Sequence, residues 1–170
     1  RIDEAAEYAH KALDLASRMA RPANATAEQW QRLRKQVEVA ARLALALTAM
    51  MREEYPAAEA EYVAAFGLME RPDALSLYRL GLTYSLQKKY DEALSTLRRA
   101  VEAGGVRGRT AGGEPRELAA EALAYVEKEV EKQKAAVAVP APATADTPTP
   151  ADAKDTQAGQ GEASAEPLAQ

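Results

Sequence analysis

The stretch LYRLGLTYSLQKKYDEALSTLRRAVEAGG, Leu77 to Gly105, decides the fold class. Apolar and small residues recur in it at three- and four-residue spacings, first over Leu77, Leu80, Gly81 and Tyr84, then over Tyr90, Ala93, Leu97 and Ala100. That period predicts two amphipathic helices, one from Asp73 to Gln87 and one from Asp91 to Ala103. Small Gly81 and Ala93 let the pair approach closely. Leu77, Leu80 and Tyr84 then fill the space between them, and Ala100 admits the next helix.

Working outward, every other block is helical too. The first runs from Ile2 to about Ala20 and stops at Arg21-Pro22. The second opens at Thr26, where TAEQ is a capping box, and continues without a breaker to about Glu54. A further helix covers Pro56 to Met69. Five glycines (Gly104, Gly105, Gly108, Gly112 and Gly113) make a flexible loop, and Pro115 starts a last helix reaching about Lys134. No alternating β-branched run and no Asn-Gly turn argues for a strand. The fold class is all-α.

The chain also repeats itself. Tyr55 aligns with Tyr90, Ala58 with Ala93, Tyr62 with Leu97 and Ala65 with Ala100, each pair 35 apart (90 − 55 = 35). Leu45 and Ala46 align with Leu80 and Gly81 at the same step. With the residues of Ala74 to Arg107 in their places, the chain resembles the tetratricopeptide family, whose unit is a helix-turn-helix of about 34 residues. Gly105 stands where that family has its terminal proline. Val39 to Asp73 is a looser copy, with Ala46 in place of the glycine and Arg42 and Ala49 where the family prefers bulky apolar residues. The resemblance implies a helix-turn-helix solenoid over residues 1–136. Residues 1–20 would be the second helix of a truncated repeat, 26–72 a repeat with an extended first helix, 73–107 the best-matching repeat and 114–136 a capping helix.

Residues 1–20 enter through KALDL, Lys11 to Leu15, with Ile2, Ala5, Ala9 and Ala12 as their inner stripe. Ala12 lies 53 residues before Ala65, 18 more than one step (53 − 35 = 18), which is about five helical turns. The second helix is therefore extended at its start without rotating its core face, and Trp30, Leu33 and Val37 should pack on the first block. The last helix carries Leu118, Ala122, Tyr125, Val126 and Val130 on one stripe.

From residue 137 the text changes to a Pro/Ala/Thr-rich tail with five of the nine prolines and no aromatic residue. Such a composition buries too little apolar surface to offset chain entropy, so 137–170 reads as disordered. Its Asp146, Asp152, Asp155, Glu162 and Glu166 against Lys154 give −4, the formal charge of all 170 residues. A neutral body offers nothing to hold nucleic acid or anionic lipid. No cysteine excludes disulfides and thiolate metal sites, and no apolar run approaches the roughly 20 residues of a membrane span. The start at Arg1, already in helical text, reads as a processed or trimmed product. The tail's character with a cysteine-free body suits a bacterial cell-envelope protein, with a cytoplasmic scaffold as the alternative.

Chemistry-bearing patterns are sparse. His10 falls on the polar side of the first block with no nucleophile beside it. GGVRGRTAGG has phosphate-loop glycines without the Lys-Ser/Thr ending, leaving Arg107 and Arg109 as bare cations. NAT, Asn24 to Thr26, matches a glycosylation acceptor but overlaps the helix cap. Neither catalytic residues nor a cofactor or metal site are expected, and the chain reads as non-enzymatic. The resemblance instead implies partner binding on the inner, concave face of first helices: Leu43, Leu47 and Met50 in the looser copy, Leu75, Tyr78, Leu82 and Ser85 in the better one. The Lys, Asn and Arg that clamp a C-terminal carboxylate in some members are missing there, apart from nearby Arg79. The expected partner is an apolar segment of another protein, or copies of the chain stacking through open solenoid ends, with Met50 and Met51 as adaptable contacts.

Overall fold

Helix boundaries follow the capping chemistry closely. In a computed structural model describing residues 1–103 and 114–138, the helices are α1 (Ile2–Arg18), α2 (Ala27–Met51), α3 (Tyr55–Leu68), α4 (Ala74–Leu86), α5 (Tyr90–Ala103) and α6 (Pro115–Ala138). No strand occurs among the described residues. The glycine-rich segment and the tail beyond Ala138 lie outside them. At the start of α2, Gln29 N donates to Thr26 Oγ1 at 3.2 Å and Thr26 N donates to Gln29 Oε1 at 3.0 Å, closing the capping box. At the start of α4, Asp73 accepts from Ser76 N at 2.9 Å and from Ser76 Oγ at 2.7 Å. Helix α6 runs two residues past the boundary drawn at 136.

The 35-residue step is present in the backbone itself. Glu53 and Lys88 are non-glycine residues of positive φ, at 62° and 61°, and they are 35 apart. Each ends a helix in the same way. Glu54 N donates to Ala49 O at 2.9 Å and Lys89 N to Tyr84 O at 3.0 Å, while Glu53 N reaches Met50 O at 3.1 Å and Lys88 N reaches Ser85 O at 2.9 Å. These are paired Schellman closures, satisfying the last carbonyls of α2 and α4 and reversing the chain within three residues. Hairpins α2–α3 and α4–α5 are therefore built on one turn. The turn is strong enough to hold Glu and Lys in a conformation that glycine normally occupies.

Burial repeats with the same step. Ala58 and Ala93, Tyr62 and Leu97, and Ala65 and Ala100 are each at most 1% exposed, and Leu45, Ala46, Leu77, Leu80 and Gly81 are buried with them. Tyr55, Tyr84 and Tyr90 are half-buried beside this core. Ala46, Tyr62 and Leu80 join α2, α3 and α4 in one apolar cluster. Leu77 and Ala100 meet Ala119 of α6, so small Ala100 does admit the helix that follows. Helix α6 packs on both α4 and α5.

At the other end, α1 lies on α2 through Ala6, Ala9, Ala41 and Leu45. Two expectations change register here. Ala5 is exposed and Ala6 takes its place, because the face turned to α2 follows positions 2, 6, 9, 13 and 16, with Ala12 packed at its edge as expected. In α6, Ala119 and Val126 are the fully buried residues, and Tyr125 is exposed. Arg42, in the place that Leu77 holds in the second hairpin, keeps its guanidinium on Glu38 of its own helix at 2.9 Å and on Glu61 of α3 at 3.2 Å. A long stem with a paired head thus replaces an apolar side chain.

Within the second hairpin the two helices approach closely at Gly81. A Cβ there would stand 2.6 Å from both Cγ and Cδ2 of Leu97, and Leu97 is fully buried with no space to retreat into. Replacing a helix glycine by alanine ordinarily gains up to about 1 kcal/mol. Overpacking of roughly 1–3 kcal/mol outweighs that gain here. G81A should therefore melt below the wild type by circular dichroism. In an L97A background, where the clash is gone, the same change should be neutral or stabilising. A G81A protein that melts at or above the wild type in the intact background contradicts the close contact.

Candidate functional site

Helix α6 turns one stretch of α4 into a groove of about 400 Å³. Tyr78, Leu82 and Ser85 line one wall, one above another at helical spacing, and Leu118, Ala122 and Val126 line the other. At the rim stand two large apolar side chains that nothing in the described structure covers, Leu86 at 53% exposure and Tyr125 at 59%. Glu121 places one carboxylate on the lining. Burial pushes the Tyr78 phenol above its ordinary value, Glu121 adds to that rise and Arg79 opposes it.

The seven expected concave-face residues are thus divided. Tyr78, Leu82 and Ser85 belong to the α4–α6 groove. Leu43 lines a separate groove between α2 and the α3–α4 connection. Leu47, Met50 and Leu75 are half-buried and line neither. Sequence reasoning overlooked the rim: Tyr125 was placed in a core stripe and Leu86 was not singled out. A signal was present, since Leu86 follows Met51 by 35 residues and both end their helices exposed.

Polar links tie the hairpins together beside the groove. Glu59 of α3 accepts from Lys89 Nζ at 2.6 Å and from Gln87 Nε2 at 2.7 Å, both in the α4–α5 turn. Burial works to raise the Glu59 carboxyl, but the hydrogen bonds from Lys89 and Gln87 prevail and hold it below its ordinary value. Its Lys89 partner also lies 5.9 Å from the Tyr84 ring centre. Between α2, α3 and α4, Tyr62 is 1% exposed and its hydroxyl has no hydrogen-bond partner. Burial pushes that phenol up to about 12, with Arg79 and Asp73 pulling in opposite directions.

Elsewhere, His10 is exposed on α1 and Thr26 is engaged in its cap. Among the described residues no group of three His, Cys, Asp or Glu side chains could hold a metal ion, and no helix is long and apolar enough to cross a membrane. Arg107 and Arg109 lie outside the described residues. No family model, no curated protein and no solved structure matches the chain.

The orphan hydroxyl of Tyr62 gives a test of this junction. Removing an unsatisfied buried polar group relieves a penalty of about 1–3 kcal/mol, so Y62F should be at least as stable as the wild type in urea. The sign of the pH effect follows from the shift. Unfolded Tyr62 loses its proton near 10.0 and folded Tyr62 near 12, so its stabilising protonated form is intact below the lower value. Stability is then lost as pH rises between the two. Alkaline denaturation should be shallower in Y62F than in wild type, and parallel curves would place the hydroxyl in a solvated setting instead.

Proposed function

We propose that this chain is a tetratricopeptide-type solenoid acting as a non-enzymatic scaffold, which holds an apolar segment of a partner protein in the α4–α6 groove. The observation that carries the reading is the exposed pair Leu86 and Tyr125 flanking a groove built on Tyr78, Leu82 and Ser85. Two half-exposed apolar side chains at the mouth of one concavity form a patch of the kind that partners cover. Fully covering a side chain of this size contributes roughly 1.5–3 kcal/mol, and half that for one already half-buried. The twice-used turn and the 35-residue spacing of the buried residues support the solenoid part of the reading. In such stacks first helices present the inner face, the place this reading gives to α4 and, as a third first helix, to α6.

A second reading has its own support. At the α1 end, Leu15, Met19 and Leu33 are about half exposed around a groove of about 300 Å³ that also includes Trp30 and Val37. An apolar end face favours stacking of copies through open solenoid ends. Light scattering after size exclusion at two concentrations separates the readings. A mass that grows with concentration, and stops growing in L15E, supports stacking, whereas a constant monomer mass rules it out.

The scaffold reading is tested with L86E and Y125E. Both positions are exposed, so helicity and melting should be unchanged. Capture of the specific partner by the 170-residue chain should fall by about tenfold or more in each. Wild-type capture by both variants would remove the α4–α6 groove from consideration.

A further inference from the structure

A second groove, independent of the α4–α6 reading, follows from the length of α2. Helix α2 has 25 residues and α4 has 13, although their ends are superposable in sequence at the 35-residue step. Its first three turns therefore overhang the hairpin. One face of the overhang is turned to α1, with Trp30, Leu33 and Val37 lining the groove between the two helices. On the other side, Val39 and Leu43 form, with Leu68 at the end of α3 and Met69 of the α3–α4 connection, the floor of a groove of about 650 Å³. Around this floor stand Arg32, Lys35 and Arg71 against one carboxylate, Glu70, a local charge of +2 (3 − 1) on a body that is neutral in total. None of the three cations makes an ion pair among the described residues.

We propose that this overhang groove binds an acidic, apolar-bearing peptide segment of a partner protein, with Arg32, Lys35 and Arg71 taking its carboxylates and Val39, Leu43 and Leu68 its aliphatic side chains. The chemistry selects the occupant. A purely apolar helix would leave three cations pressed against it without counter-charges, and a basic segment would be repelled by them. A bare anion would leave the aliphatic floor wet. From Arg32 to Leu43 the wall is about 17 Å long, the span of roughly five extended residues. An eight-residue peptide therefore covers it.

The test is fluorescence anisotropy of the full chain with three labelled eight-residue peptides, alternating Leu with Glu, with Gln or with Lys. The Glu peptide should saturate below about 1 mM, bind about tenfold or more tightly than the Gln peptide, and weaken with added salt. The double variant R32E/K35E and the single variant R71E, all at exposed positions, should lose the Glu peptide while keeping the wild-type melting curve. R32E/K35E should gain the Lys peptide. L86E and Y125E should bind the Glu peptide as wild type does, so failure of one groove is distinguishable from failure of the other. Equal binding of Glu and Gln peptides, an unaffected R32E/K35E, or no saturation by any peptide overturns the proposal. Displacement by inorganic tripolyphosphate as readily as by unlabelled Glu peptide would also overturn it, since the floor would then contribute nothing.

Discussion

The contact on which this structure depends is the meeting of Gly81 with Leu97. Leu97 occupies the space that a side chain at 81 would need, its Cγ and Cδ2 2.6 Å from where a Cβ would stand. Helix α5 can lie that close to α4 only because the facing positions alternate between large and small. Ala93 and Ala100 flank Leu97, and all three are completely buried. The same arrangement recurs one step earlier, where Ala58 and Ala65 flank Tyr62 and Ala46 faces it. Close packing of this kind draws dispersion energy from backbone as well as side chains. It also explains how an alanine-rich chain with few aromatic residues builds a core at all.

Close approach needs a turn that returns the chain in register, and the two Schellman closures supply it. Because Glu53 and Lys88 sit in the left-handed region without the freedom of glycine, each turn carries a conformational cost. The hydrogen bonds that close the turns and the packing that follows must offset it. Polar ties then act both across hairpins and within one. Glu59 reaches forward to Lys89 and Gln87, and Arg42 joins α2 to Glu61. These pairs are partly exposed, so their contribution to stability is modest. The Glu59 pair restricts how one hairpin sits on the next, and the Arg42 pair braces α2 against α3.

Much of this was legible beforehand, for identifiable reasons. Capping residues placed the starts of α2 and α4, because Thr26 and Asp73 use side chains whose chemistry has few alternatives, whereas α6, with no such signal at its end, runs four residues past the expected Lys134. The 35-residue step was visible because Tyr, Leu, Gly and Ala at the helix contacts have volumes that cannot be exchanged freely. Where the residues were less distinctive, the reading slipped. In α1 an alanine occurs on almost every face, so choosing Ala5 over Ala6 was a choice between equal sizes. Tyr125 matched an apolar stripe, yet the stripe shared by Leu118 and Val126 leaves it at the rim. Pattern alone could not show that α6 would close over Tyr78, Leu82 and Ser85 while Leu43 opened onto a different groove, since that division depends on where α6 packs.

The extension of α2 was inferred from an 18-residue surplus, and its consequence for the surface follows from helix geometry. A helix that overhangs its partner must either bury both sides of the overhang or leave one side available. Here α1 partly covers the side of Trp30, Leu33 and Val37. The other side, about 140° away by residue count at 100° per residue, has only the α3–α4 connection near it, which is too short to cover three turns. Apolar Val39 and Leu43 are consequently half-buried while Arg32 and Lys35 stay in water. Lengthening one helix of a repeated hairpin thus creates concave, mixed apolar and basic surface that the unextended hairpin lacks. This surface comes from where a helix starts, with no change to the packing that holds the hairpins together.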